Sequence, residues 1–222
     1  TKFAGIEEVA LLKADGTPEG KPVVSGAGGP FLVDERGYRY SAARDRNVQV
    51  TLEDSGPLRA TICAKGWYVC DDTTERCCQF TTRMTAYAGQ PWINVYQETV
   101  ITYDTDKKKL RMLGFAVKTA DAAQWAFGGD GKAFNGELPT QTKDKNNRPL
   151  PLQSVWLHQE RFDHFRLMQG EDQAVATGSK SDGWAAVRSP AATTGVFLRN
   201  IWQLYPKEME LSRDGINLMF WP

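Results

Sequence analysis

The chain has 222 residues, with 27 Lys or Arg set against 27 Asp or Glu, so its formal net charge is zero. That balance carries no electrostatic footprint for nucleic acid or for an anionic membrane surface, although a local patch can still meet a polyanion. Apolar residues make up 41% and charged residues 24%, an ordinary globular mixture, and no apolar run approaches the ~18–20 residues that cross a bilayer as a helix.

The chain opens Thr1-Lys2-Phe3 without an initiator Met or a leader pattern, so it is expected to follow a removed leader or to start inside a longer protein. β-branched and aromatic runs, broken by turn residues about every ten positions, predict an all-β chain. Residues 6–12 read as a short strand before the turn cluster Lys13-Ala14-Asp15-Gly16-Thr17-Pro18, and residues 25–30 as a Gly-rich link. A hairpin follows: Pro30-Phe31-Leu32-Val33, a turn at Asp34-Glu35-Arg36-Gly37, then Tyr38-Arg39-Tyr40.

Next come strands over 48–52 and 58–64, separated by Asp54-Ser55-Gly56-Pro57, then strands over 79–87, 92–103 and 110–118. Strict alternation predicts one buried and one wet face, the habit of antiparallel sheets. Residues 119–149 read as a long irregular loop ending in Lys143-Asp144-Lys145-Asn146-Asn147-Arg148-Pro149. Strands return over 154–165, 173–176, 183–188, 195–204, 209–211 and 215–221. Ser179-Lys180-Ser181-Asp182-Gly183 reads as a turn. The finish, Ile216-Asn217-Leu218-Met219-Phe220-Trp221-Pro222, is an apolar strand without a polar tail and is expected to be an internal boundary.

Three phrases carry a family resemblance: Glu53-Asp54-Ser55-Gly56-Pro57-Leu58-Arg59-Ala60; Arg83-Met84-Thr85-Ala86-Tyr87-Ala88-Gly89-Gln90-Pro91-Trp92-Ile93-Asn94-Val95; and Gly195-Val196-Phe197-Leu198-Arg199-Asn200-Ile201-Trp202-Gln203-Leu204-Tyr205-Pro206-Lys207-Glu208 with the closing Phe220-Trp221-Pro222. Over residues 38–222 their order resembles the central β-sandwich of the exo-rhamnogalacturonan lyase family. The resemblance implies an antiparallel, supersandwich-like β-sandwich at 38–222, with 1–37 as a linker or the tail of a preceding small β-barrel. It also implies a following α/α toroid of the same protein as partner, an acidic polysaccharide or oligosaccharide as substrate, and cleavage by β-elimination.

β-Elimination beside a uronate needs its carboxylate neutralised, a base for the α-proton and an acid for the leaving oxygen. Trp156-Leu157-His158-Gln159-Glu160-Arg161-Phe162-Asp163-His164-Phe165-Arg166 concentrates such groups and holds both histidines of the chain. As one extended strand it puts Trp156, His158, Glu160, Phe162 and His164 on one face and Gln159, Arg161 and Asp163 on the other. His158 and His164 are the candidate proton-transfer groups and Arg161 the candidate neutraliser. The plainer alternative is a wet face whose histidines bond to neighbouring carboxylates.

Trp125, Trp156, Trp184, Trp202, Tyr205 and Trp221 are candidate sugar-stacking aromatics, with Arg199 and Asn200 able to bond hydroxyls. Trp202 and Trp221 are expected as sandwich core ahead of a stacking role, whereas Trp125, set in the irregular stretch, is expected to be exposed. Lys107-Lys108-Lys109 with Arg111 either meets uronate carboxylates or is a solvated hairpin tip.

No metal site or cofactor is expected, and there is no phosphate loop or nucleophile elbow. Cys70 and Cys77 flank a short loop, and a disulfide across its neck is expected, which favours an extracellular or periplasmic protein. Two rival readings stay open: a non-catalytic carbohydrate-binding or structural β module of a surface assembly, and a self-contained mutarotase-like sugar enzyme using His158 or His164 as base.

Overall fold

A computed structural model describes residues 3–140, 153–170, 173–190 and 192–222. Among these there is no α-helix, and a 3-10 turn at Ala42–Arg44 interrupts a succession of strands. In chain order they are β1 (Glu8–Val9), β2 (Val24–Ser25), β3 (Gly29–Asp34), β4 (Arg39–Ser41), β5 (Gln49–Ser55) and β6 (Arg59–Cys70). Then come β7 (Arg76–Tyr87), β8 (Ile93–Val100), β9 (Leu110–Lys118), β10 (Gln124–Gly129), β11 (Lys132–Glu137) and β12 (Val155–Arg161). The last are β13 (His164–Gln169), β14 (Gln173–Gly178), β15 (Ser181–Arg188), β16 (Thr193–Phe197), β17 (Lys207–Ser212) and β18 (Gly215–Trp221).

The strands fall into two compact units, one of Thr1–Gly5 with Gly28–Leu113 and one of Ile6–Ala27 with Gly114–Pro222. In the first, the antiparallel order is β3-β4-β6-β7-β8, with β5 also paired to β6. Its core gathers where Phe80 stacks on Phe3 and meets Tyr68 edge-on, at centroid separations of 5.9 and 5.5 Å. The β3–β4 turn is held by Asp34, fully buried, which accepts the backbone N–H groups of Arg36 and Tyr38.

In the second unit, β14-β13-β12-β17-β18 form one antiparallel sheet and β11-β10-β15-β16 another. Leu157, Phe165, Leu167, Met209 and Leu211 of the larger sheet are buried, as are Trp125, Phe127, Ala185 and Val187 of the smaller. Phe134 on β11 packs against Phe165 on β13 at 6.2 Å. Two antiparallel sheets closing on an apolar interior make an all-β sandwich, with the antiparallel pairing that the alternation predicts and the architecture that the family resemblance implies.

Several local expectations are corrected. Residues 154–165 are not one strand: β12 ends at Arg161, Phe162 and Asp163 turn, and β13 returns with His164 opposite Arg161. The stretch read as an irregular loop contains the β10–β11 hairpin, while residues 143–149 lie outside the described residues. The strand expected over 195–204 stops at Phe197, and the chain leaves the sheet until Lys207. Lys108 is not a solvated tip residue, because its ammonium donates to the Tyr40 hydroxyl at 2.8 Å and to Glu75 at 2.9 Å.

The cysteines also differ from expectation. All four are buried thiols. The β6–β7 register pairs Val69 with Arg76 and Tyr68 with Cys77, and the Cys70 N–H is taken by the Glu75 carbonyl. Cys78, at φ 61°, is the extra residue of a bulge. Cys77 therefore stands across from Tyr68, and its sulfur lies 3.8 Å from that of Cys78.

Candidate functional site

Two surfaces of the second unit carry the candidate residues. The first is the outer face of the larger sheet, where half-buried Trp156, His158 and Glu160 alternate with buried Val155, Leu157 and Gln159. The register sets His158 beside Arg166 on one side and Glu208 on the other. His158 Nδ1 lies 2.9 Å from Glu208 Oε2. His164 Nδ1 lies 3.0 Å from Glu160 Oε2, and Arg166 bonds the other oxygen of that carboxylate. Burial works to raise the Glu160 pKa, but His164 and Arg166 outweigh it and hold the carboxyl below its usual value. A carboxylate at one ring nitrogen orients an imidazole for proton transfer, so this face can host acid–base chemistry. Arg161 sits apart at the turn, exposed, with the Asp163 carboxylate 4.0 Å away.

The second surface is an open groove of about 590 Å³ at the loop end of the sandwich, walled by the 197–203 segment, Asp130 and the Lys180–Asp182 stretch. After Phe197, Leu198 N–H bonds the Gly183 carbonyl, Asn200 turns in the left-handed region at φ 57°, and buried Ile201 pins the loop to the core. Gly183 is required there: its φ is +82°, and a Cβ would sit 2.6 Å from the Leu198 carbonyl oxygen. The loop thereby offers Arg199 and Trp202 to the groove, and the Lys180 ammonium lies 4.2 Å from the Trp202 ring centre. Tyr205, exposed, packs against Phe162 of the β12–β13 turn at 6.5 Å.

The opposite wall is fastened by side chains. Asp130 accepts the N–H groups of Ser179 and Lys180 at 2.9 and 2.8 Å, and these bonds depress its pKa. Gln159, fully buried, accepts the Ser181 N–H at 2.7 Å and donates to the carbonyls of Arg161 and Ser179. Sequence alone marks no role for Asp130, sets Gln159 only on a strand face and leaves Lys180 within a turn. The segment Ser179-Lys180-Ser181-Asp182-Gly183 has the composition of an ordinary turn, and only tertiary structure places it in a groove wall.

The structure thus brings Arg199 and Trp202 to one groove, with Tyr205 on the same loop. Trp156, His158 and His164 lie on the sheet face. Trp125 is not the exposed aromatic expected: it is buried on β10, with its indole N–H donating to the Glu137 carbonyl at 3.1 Å. Trp221, by contrast, is 55% exposed at the end of β18. Among the described residues, no cluster of three or more His, Cys, Asp or Glu is arranged to hold a metal ion.

The two sheets define a β-sandwich module whose groove is lined by Trp202, the cations Lys180 and Arg199 and the carboxylates Asp130 and Asp182. The family model described as "PcRGLX-like protein central beta sandwich domain" matches residues 6–125, more than half of the chain. The chain belongs to that rhamnogalacturonan-lyase-related family. It is also similar to "Uncharacterized protein YetA" of Bacillus subtilis (strain 168), with 23% identity over an alignment covering 91% of this chain and 30% of that protein. The chain thus spans less than a third of this relative's length. The groove residues lie beyond the segment that the family model matches.

Proposed function

We propose that this chain is the glycan-binding β-sandwich of a polysaccharide-lyase-like protein acting on an acidic, rhamnogalacturonan-type glycan by β-elimination outside the cytoplasm, with a helical domain of the same protein completing the active site. The observation that carries this reading is the groove, where Lys180 lies over Trp202 beside Arg199. An indole face suits the apolar face of a sugar ring, and two cations suit a uronate carboxylate. In the other unit, the row Leu52, Ile62, Met84 and Val95 runs across four strands without a charge. Leu52 on that row is 62% exposed, which supports a partner domain covering that face.

The test is titration of the chain with acidic oligosaccharides from rhamnogalacturonan, followed both by calorimetry and by the ultraviolet absorbance of unsaturated uronate. Binding without product is expected, and Trp202→Ala weakens it about tenfold, roughly 1.4 kcal/mol. Equal binding by Trp202→Ala contradicts the reading. Product released by the chain itself favours a second reading, in which the His158–Glu208 pair beside Arg166 performs the proton transfer.

A further inference from the structure

Resting on the reading of the groove as an acidic-sugar site, we infer that Asp130 is a positioning residue whose carboxylate fixes the 178–181 turn so that Lys180 meets a ligand carboxylate beside Trp202. Three successive backbone N–H groups in this turn, those of Ser179, Lys180 and Ser181, are bonded by side chains from elsewhere in the fold. Asp130 Oδ2 takes the first, Asp130 Oδ1 the second and Gln159 Oε1 the third. The backbone N–H of Asp130 also donates to the Lys180 carbonyl at 2.8 Å.

Asp130 holds this place at φ 51°, a conformation unusual for a residue with a side chain. Gly178 leaves the room it needs, since a Cβ there would collide with the Asp130 carboxylate and the Phe165 ring. Two consequences follow for Lys180. Its backbone is held before any ligand arrives, so little ordering is left for binding to supply. Both oxygens of Asp130 are engaged by backbone N–H groups, and the Lys180 ammonium lies over the uncharged Trp202 ring, which leaves it available to a ligand.

The experiment compares the unsubstituted chain, Asp130→Asn, Lys180→Met and the double variant against an oligogalacturonate and its carboxyl-reduced, neutral counterpart. An amide at 130 turns an N–H₂ toward one of the two backbone N–H groups and frees the turn. Asp130→Asn and Lys180→Met should each weaken acidic-ligand binding about tenfold, change neutral-ligand binding less than about twofold, and combine without adding, because one acts through the other. Should Asp130→Asn fail to fold, Asp130→Glu carries the same comparison, its longer arm displacing the turn while keeping the charge. Equal weakening toward both ligands marks a purely structural role and overturns the inference. So does full acidic-ligand affinity in the Asp130 variants while Lys180→Met is weak. If the unsubstituted chain binds neither ligand, the groove reading itself falls and takes the inference with it.

Discussion

Cys77 and Cys78 adjoin in sequence and hold their sulfurs 3.8 Å apart, both buried, at the bulge where β7 slips register against β6. Consecutive residues of a regular strand point to opposite faces; the left-handed backbone at Cys78 breaks that rule here. The thiol state of Cys63, Cys70, Cys77 and Cys78 predicts that alkylation after denaturation without reductant adds four groups by mass. The folded chain should react slowly, because all four are buried. An alkylation count of two in the denatured chain would restore a disulfide.

Phe162 lies in the β12–β13 turn and Phe165 on β13, and their burial differs accordingly. Phe165 is fully buried between the sheets, while Phe162 is 56% exposed. Phe165→Ala should cost about 3–5 kcal/mol in denaturant unfolding. Phe162→Ala should stay within about 0.5 kcal/mol. Similar losses at both positions would contradict this placement.

Glu160 is the acid-sensitive member of the sheet face. Its carboxyl is held below the usual value, so the folded state releases that proton more readily than the unfolded chain does. The stability it contributes is present above the unfolded pKa and is lost as pH falls through the folded one. The melting temperature of the unsubstituted chain should therefore exceed that of Glu160→Gln near neutrality, with the gap shrinking on acidification. A gap that widens at low pH contradicts the assignment.

Much of the fold is legible in the sequence, because alternation and turn chemistry are local. The β3–β4 hairpin is announced by Asp34-Glu35-Arg36-Gly37, and β9 and β18 run over the residues expected for them from their apolar runs and flanking turns. The failures share a physical cause: the deciding contact is distant. Gly128, Gly129 and Gly136 read as breakers, yet they leave space for Trp184, Phe165 and Trp125, so that glycine-rich strands pack tightly. Phe162 and Asp163 form a two-residue turn without Gly or Pro to mark it. The candidate site is half legible on the same grounds. Arg199 and Trp202 stand out by chemistry, whereas Asp130, Gln159 and Lys180 acquire their roles through bonds between segments tens of residues apart.

The central claim, that the groove is where this sandwich meets an acidic glycan, is tested most directly by nuclear magnetic resonance of the isotopically labelled chain during titration with an oligogalacturonate. The account predicts that the Trp202 indole signal and the amide signals of residues 180–182 and 199–203 move together and saturate. Shifts confined to Trp156, His158 and Arg166, or no shifts at all, would contradict it.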